Sequence, residues 1–191
     1  KRIDKTLVTA TSPKQFSTPR PFRPTKKTCP HSVTVREYMP VDKRIIMNQK
    51  YESMIYERVD LARKGETKTV ISKMDTGWLV LGDNQNIPGY CVFLSDPVVE
   101  NIHSLEINQR TKFMKEMTIA GEALQKAVGA RLINYSILGN ADIGLHVHIH
   151  PRYEWEDEKF KTKNPFKYYW ENVEPIDFDY EKHKNLIIKI K

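Results

Sequence analysis

Three of the six histidines in this chain alternate with apolar residues in one short segment, which reads GLHVHIHPRY. Side chains of a β-strand alternate between two faces, so His146, His148 and His150 share one face of such a strand. Imidazole ligates metals, attacks phosphorus and passes protons to leaving groups. Because same-face positions lie about 7 Å apart, three ligands on one straight strand converge poorly on one ion. The spacing alone leaves open a metal site, a catalytic site and a solvated polar face.

The segments that must position these histidines alternate between helical and strand patterns. Helical periodicity predicts a first helix at about residues 47–64 and a longer one at about 107–129. Five apolar runs predict strands at residues 67–74, 77–83, 89–96, 131–139 and 145–153. Short connections between the first three runs favour antiparallel pairing, and the order of the elements predicts an α+β fold. On the last strand, Val147 and Ile149 are expected to face the core.

The histidine segment and its surroundings resemble the histidine triad family of nucleotide-binding hydrolases and transferases. The resemblance covers residues 46–155, including WLVLGDNQNIPGYCVFLSD before the long helix and NYSILGN after it. Within the family, the segment is most similar to bacterial-type members related to dinucleoside polyphosphate hydrolases. The resemblance implies a histidine triad fold, an antiparallel sheet of about five strands with two helices, here with N- and C-terminal extensions.

The family pattern also implies which histidine reacts. That pattern is His-x-His-x-His-x-x-Pro-Arg, and its middle histidine forms a covalent nucleotidyl intermediate. Counting back from Pro151 and Arg152 places the third family histidine at His148, the middle one at His146 and the first at Gly144. The favoured alignment therefore makes His146 the nucleophile and His148 its catalytic partner. The alternative aligns the visible triplet directly and makes His148 the nucleophile.

Six residues are predicted to bind substrate: Asp83, Asn84, Gln85, Asn134, His150 and Arg152. The first three occupy a loop that approaches the nucleotide ribose in similar proteins, and Asn134 matches an asparagine that reaches the phosphate region. The planar guanidinium of Arg152 fits phosphate. For the loop and for Asn134, ordinary turn and strand-end hydrogen bonding is the alternative interpretation. For Arg152, the alternative is a guanidinium that meets solvent or a carboxylate.

The implied function is hydrolysis or nucleotidyl transfer at an α-phosphate, on dinucleoside polyphosphates or nucleoside phosphoramidates. No metal ligand is predicted and no cofactor is required, although some relatives use a divalent metal ion. Relatives are commonly homodimers, so the resemblance also implies a homodimer. Two family residues are absent, because Gly144 replaces the residue that orients the nucleophile and Val98 replaces a frequent histidine. Whether the site is active is therefore open.

The net charge of +7 is concentrated at one end of the chain. Residues 1–44 contain 11 Lys/Arg and 3 Asp/Glu, whereas the remainder contains 20 Lys/Arg and 21 Asp/Glu. The Pro-, Ser- and Thr-rich arm of residues 1–45 is not expected to fold alone, and such an arm can neutralise RNA phosphates. The alternative function is thus a histidine triad subunit with weakened or no catalysis, recruited into an organellar ribonucleoprotein assembly. The arm's composition also resembles an organelle transit segment, so we expect an intracellular protein of the cytoplasm or the mitochondrial matrix.

The end of the chain, residues 156–191, is rich in aromatic residues and is predicted to pack on the core or on a partner. No apolar run approaches the roughly 20 residues of a transmembrane helix, so no membrane span is expected. Cys29 and Cys91 lie far apart and show no metal-binding or disulfide spacing.

Overall fold

The computed structural model of the chain describes residues 53–166 and 174–191. The basic arm predicted at residues 1–45, and with it Cys29, lies outside these ranges. No helix within them combines the length and the hydropathy that crossing a bilayer requires.

The described core is one antiparallel sheet of five strands. The strands are β1 (Val70–Met74), β2 (Gly77–Leu81), β3 (Cys91–Ser95), β4 (Leu132–Ser136) and β5 (His146–Arg152). Their order across the sheet is β1-β2-β3-β5-β4, and every neighbouring pair is antiparallel. The histidine strand β5 is therefore an interior strand, with hydrogen-bonded neighbours on both sides. The predicted α+β class and number of strands are confirmed.

Two helices match the predicted ones. Helix α1 (Met54–Lys64) and helix α2 (Ile107–Val128) each end at a glycine with positive φ, Gly65 at 71° and Gly129 at 67°. A left-handed residue after a helix is commonly glycine because it has no Cβ. The predicted start of the first helix, residues 47–52, lies outside the described residues. A four-residue helix α3 (Glu158–Lys161) and helix α4 (Tyr180–Ile190) were not predicted.

The sheet separates two apolar layers. On one face, Val147 and Ile149 of β5 pack with α2 and with Ile187 and Ile190 of α4. On the other face, α1 packs through Ile55 and Val59 against sheet residues that include Val80, Val92 and Leu94. The prediction that Val147 and Ile149 face the core is confirmed. The imidazole face is also covered, because α1 lies over it.

The described part of the C-terminal segment packs on the same core. Its residues Glu174–Phe178 run beside the loop that follows β2. Backbone N–H groups of Gln85 and Phe178 donate to the carbonyls of Ile176 and Asp83, respectively. The amide of Asn86 bonds the backbone on the same strip, at Glu174 and Ile176. The loop of Asp83–Asn86 is thereby fixed beside the histidine strand.

Candidate functional site

A pocket of about 520 Å³ opens between α1 and the imidazole face of the sheet. This volume lies within the range of about 300–1,000 Å³ that small-molecule sites occupy. Its walls come from α1, from the loop after β2, from the loop before β5 and from the sheet, and they include Met54, Ile55, Arg58, Asp83, Asn84, Tyr90, Leu94, Leu138, Asp142, His146, His148 and Phe166. The lining surface is mostly apolar, and its polar groups include His146 and His148 at the start of β5.

His146 is the first residue of β5, and its ring is fixed at both nitrogens. Nδ1 lies 2.7 Å from the carbonyl oxygen of Gly144, and Nε2 lies 3.1 Å from Nε2 of His148. A carbonyl oxygen only accepts, so the proton of a neutral His146 is on Nδ1. Nε2 then carries the lone pair, which faces Nε2 of His148 at the wall of the pocket.

His148 lies two residues further along the same face. Its Nδ1 is 2.5 Å from the hydroxyl of Tyr90, and its ring meets that of Phe166 edge-on at 4.7 Å. Burial lowers the pKa of His148 to about 4, with smaller contributions from His146 and from the guanidinium of Arg58. His148 is therefore neutral at physiological pH. A neutral imidazole next to a phosphate acts as a hydrogen-bond donor.

The loop after β2 contributes two of its three predicted residues to the pocket. Asp83 and Asn84 line it, and the carboxylate of Asp83 forms a two-point ion pair with Arg58 of α1. Gln85 is buried away from the pocket, where its amide nitrogen donates to the carbonyls of Gly82 and Tyr90. The structure thus gives Gln85 the turn role that was the alternative interpretation.

Solved structures of other proteins share this arrangement of helices and strands. A histidine triad protein from Sinorhizobium meliloti has a TM-score of 0.55 and 21% identity, over 68% of this chain and 91% of its own. A histidine triad protein from Marinobacter aquaeolei has a TM-score of 0.56 and 18% identity, over 73% of this chain and 93% of its own. A hypothetical histidine triad nucleotide-binding protein from Sulfolobus tokodaii has a TM-score of 0.54 and 16% identity, over 69% of this chain and 87% of its own.

The chain has the histidine triad fold. No protein-family model matches it, and no curated protein matches its sequence. The resemblance stated from the motif is confirmed at the level of the fold.

Gly144 marks where this chain departs from the family pattern. Its φ is 138°, and a Cβ there would lie 2.9 Å from Cβ of Ile55 and 3.2 Å from Cγ1 of Val98. A side chain at this position therefore conflicts both with the backbone conformation and with α1. The Gly144 carbonyl nevertheless holds Nδ1 of His146, so the backbone orients that ring.

The other end of β5 lies outside the pocket. Arg152 is buried, and its five N–H groups all have protein acceptors. Nε and Nη2 donate to the carboxylate of Glu156, Nη1 to Oδ1 of Asn134 and the carbonyl of Lys163, and Nη2 also to the carbonyl of Phe160. No donor is left for a phosphate. The phosphate roles of Arg152 and Asn134 stay predictions, but in this structure the guanidinium of Arg152 and Oδ1 of Asn134 bond to one another and to the protein, outside the pocket.

His150 is likewise enclosed. Its ring stacks on Tyr90 at a centroid distance of 4.5 Å and meets Phe166 edge-on at 4.7 Å. Burial, followed by the charges of His148 and Arg152, lowers its pKa to about 3. Nδ1 has no hydrogen-bond partner in the described part of the chain. The predicted contact of His150 with substrate is not supported by this position, which lies beneath the two aromatic rings.

Among the pocket residues that the sequence did not predict, three contact the predicted ones: Arg58, Tyr90 and Phe166. Arg58 and Tyr90 were not singled out, and Phe166 was noted only as part of an aromatic-rich segment. Arg58 lies three residues after the core residue Ile55, and that spacing places both on one helix face. Tyr90 lies inside the predicted strand of residues 89–96, but its partner His148 is 58 residues away. The long-range contact therefore left no local signal.

A metal site is not supported by the donors of the described residues. Among them, no group of three or more His, Cys, Asp or Glu side chains is placed to hold an ion. Asp83 is paired with Arg58, and Asp142 accepts from the Ser53 hydroxyl. No step below is routed through a metal.

Proposed function

We propose that this chain binds a nucleotide in the pocket and cleaves it at the α-phosphate, with His146 as the nucleophile. One observation carries the proposal. The Gly144 carbonyl fixes the Nδ1–H form of His146, and this leaves the Nε2 lone pair beside a cavity of nucleotide size. Activation of a nucleophile by an oriented hydrogen bond is a recurring device of covalent catalysis.

His148 supports the reaction as a hydrogen-bond donor. Its Nε2 lies 3.1 Å from that of His146, so its N–H reaches an oxygen of a phosphorus atom under attack. A donor aimed at developing negative charge stabilises the transition state. Because the pKa of His148 is lowered to about 4, the empty site holds no imidazolium that could act as a general acid at neutral pH. Leaving groups that depart as anions are therefore favoured.

The chemistry divides into two displacements. In the first, Nε2 of His146 forms a bond to the α-phosphorus, the bond to the leaving group breaks, and the departing atom keeps the electron pair. The imidazole keeps its Nδ1 proton, which stays hydrogen-bonded to the Gly144 carbonyl. In the second, water attacks the same phosphorus, the N–P bond breaks, and the water proton passes to solvent. A nucleoside monophosphate is released, or a transfer product if another acceptor replaces water.

The remaining walls suit a nucleoside. Apolar side chains of Ile55, Leu94 and Leu138 offer contacts for a base, while the loop with Asp83 and Asn84 presents oxygens to ribose hydroxyls. The Asp83 carboxylate is fixed by Arg58, so its orientation is set before a ligand arrives. The nucleotide-binding name belongs to the Sulfolobus tokodaii protein, and it supports the same ligand class here.

The dinucleoside polyphosphate and nucleoside phosphoramidate classes are distinguished by a substrate panel. We expect the full chain to hydrolyse diadenosine polyphosphates or other adenylate anhydrides faster than adenosine phosphoramidates, since an amine needs a proton to leave. Product nucleotide is measured by chromatography for wild type, His146→Gln and His148→Gln. Turnover that both variants retain in full would remove the proposal.

A second candidate function rests on the charge of residues 1–44, which contain 11 Lys/Arg against 3 Asp/Glu. The arm is suited to RNA phosphates in a ribonucleoprotein of the mitochondrial matrix, with the histidine triad fold as a scaffold. Replacing Arg20, Arg23, Lys26 and Lys27 by serine in the full chain separates the two functions. An enzyme keeps its turnover, whereas a scaffold loses salt-sensitive RNA affinity. The homodimer stays a prediction that light scattering tests.

A further inference from the structure

The hydroxyl of Tyr90 is the outer end of a hydrogen-bonded line that reaches the proposed nucleophile. Its Oη lies 2.5 Å from Nδ1 of His148, whose Nε2 lies 3.1 Å from Nε2 of His146. The line ends at the Gly144 carbonyl, 2.7 Å from Nδ1 of His146. Tyr90 also lines the pocket, so the whole line borders the site.

The carbonyl end determines the direction of every bond in this line. Because the carbonyl accepts, His146 holds its proton on Nδ1, and in the neutral form that can attack phosphorus its Nε2 is an acceptor. Nε2 of His148 must then be the donor. A neutral His148 has one proton, so its Nδ1 is an acceptor and the Tyr90 hydroxyl donates to it. Only this arrangement satisfies all four groups when both histidines are neutral.

The ring of Tyr90 is held firmly. It stacks on His150 with an interplanar angle of 7°, and it lies against Gly82, where a Cβ would come within 2.4 Å of the ring. Only 6% of the residue is exposed. Burial also raises the pKa of Tyr90 above its ordinary value, so the hydroxyl keeps its proton. A fixed, protonated hydroxyl is suited to selecting one tautomer of the imidazole that it contacts.

We propose that Tyr90 is a positioning residue that helps hold His148 in the Nε2–H tautomer, so that this N–H becomes available to an oxygen of the α-phosphate once Nε2 of His146 attacks phosphorus. The catalytic part rests on the proposed function, because it needs His148 to donate to a phosphate oxygen. The tautomer part is a property of the protein alone. Without the hydroxyl, only the contact with Nε2 of His146 would favour this tautomer. Part of the molecules would then carry the proton on Nδ1 of His148, and these would present no donor.

The test compares Tyr90→Phe with wild type in the full chain. The phenyl ring keeps the contacts with Gly82 and His150 and removes only the hydroxyl. Tyr153→Phe is the matched control, because Tyr153 is also buried and donates its hydroxyl to the Pro88 carbonyl outside the pocket. Long-range ¹H–¹⁵N correlation spectra report which nitrogen of each imidazole carries the proton. His148→Gln identifies the His148 signals by their loss.

We expect wild type and Tyr153→Phe to show His148 protonated at Nε2, and Tyr90→Phe to show a mixture of tautomers with His146 unchanged. We also expect kcat to fall about tenfold in Tyr90→Phe, as for the loss of one oriented hydrogen bond, with KM little changed. An unchanged His148 tautomer in Tyr90→Phe would overturn the proposal, and so would a changed tautomer with an unchanged kcat. If wild type turns over no substrate, the proposed function fails, and the spectra alone decide whether Tyr90 holds the tautomer.

Discussion

The two ends of strand β5 differ in whether their polar side chains border the pocket. At its start, His146 and His148 border the pocket, and their hydrogen bonds are to one another, to a carbonyl and to a tyrosine. At its end, every N–H group of Arg152 donates to an acceptor of the protein itself, chiefly the carboxylate of Glu156. A strand with one chemical pattern thus separates into an end that borders the pocket, the proposed reactive end, and a structural end. Polarity and spacing do not distinguish the two ends, whereas contact with the pocket does.

The largest effect should come from the reactive end. His146→Gln removes the attacking nitrogen, so we expect turnover to fall by about 10⁴-fold or more, as when a covalent nucleophile is lost. The side chain is replaced without leaving a buried charge, and the free energy of unfolding should change by only about 1 kcal/mol. Initial rates and urea unfolding curves measure the two quantities. Retention of more than a tenth of the rate would contradict the division of the strand.

The structural end should show the opposite pattern. Arg152→Met leaves the Glu156 carboxylate buried without its cation, at a cost of about 3–5 kcal/mol in the free energy of unfolding. The double variant with Glu156→Gln removes that charge and should recover part of the loss. Turnover per folded molecule should stay close to wild type in both. A lower kcat/KM with normal stability would instead return Arg152 to phosphate binding.

Acid should weaken the protein through the two neutral histidines. The folded pKa values of about 4 for His148 and about 3 for His150 lie below the usual 6.5. In the unfolded chain these groups take up protons first, so their stability contribution is complete above about pH 6.5 and is lost as pH falls toward 3. His150→Gln should reduce this slope. Urea unfolding at a series of pH values measures it, and an unchanged slope would contradict the burial of a neutral His150.

The smallest effect concerns the boundary between the two ends, where Phe166 contacts the rings of both His148 and His150. Phe166→Ala should weaken binding of a nucleoside monophosphate about tenfold, the value of one aromatic contact. Phe160→Ala is the matched control, because Phe160 lies in the same segment outside the pocket. Calorimetric titration measures both. Equal losses in the two variants would show that Phe166 does not form a pocket wall.

The sequence was sufficient for the sheet and for the face of each β5 residue, because alternation along a strand is a local property. It was also sufficient for α2, because this helix is 22 residues long and its apolar residues repeat at helical spacing. Helix α4 was missed, although Asp179 caps its first turn and Ile187 and Ile190 recur at helical spacing. The helix has only 11 residues and follows an aromatic-rich segment, so its helical spacing was not recognised.

The site was predictable only in part. His146, His148, Asp83 and Asn84 line the pocket as the motif implies, since local order and spacing specify them. A carboxylate partner was the alternative to phosphate for Arg152, but the sequence did not identify it as Glu156, which lies just beyond residue 155, where the resemblance ends. The contact of Tyr90 with His148 joins residues 58 positions apart, and one sequence does not record such a contact.

The most direct test of the account is to find the covalent intermediate. The full chain with a diadenosine polyphosphate is quenched within seconds at alkaline pH, because N–P bonds are acid-labile, and is then digested and fragmented by mass spectrometry. His148→Gln is treated in parallel to separate the two neighbouring histidines. The account predicts a nucleotidyl group on His146 in both proteins. A nucleotidyl group on His148, or steady turnover with no adduct on His146, would contradict it.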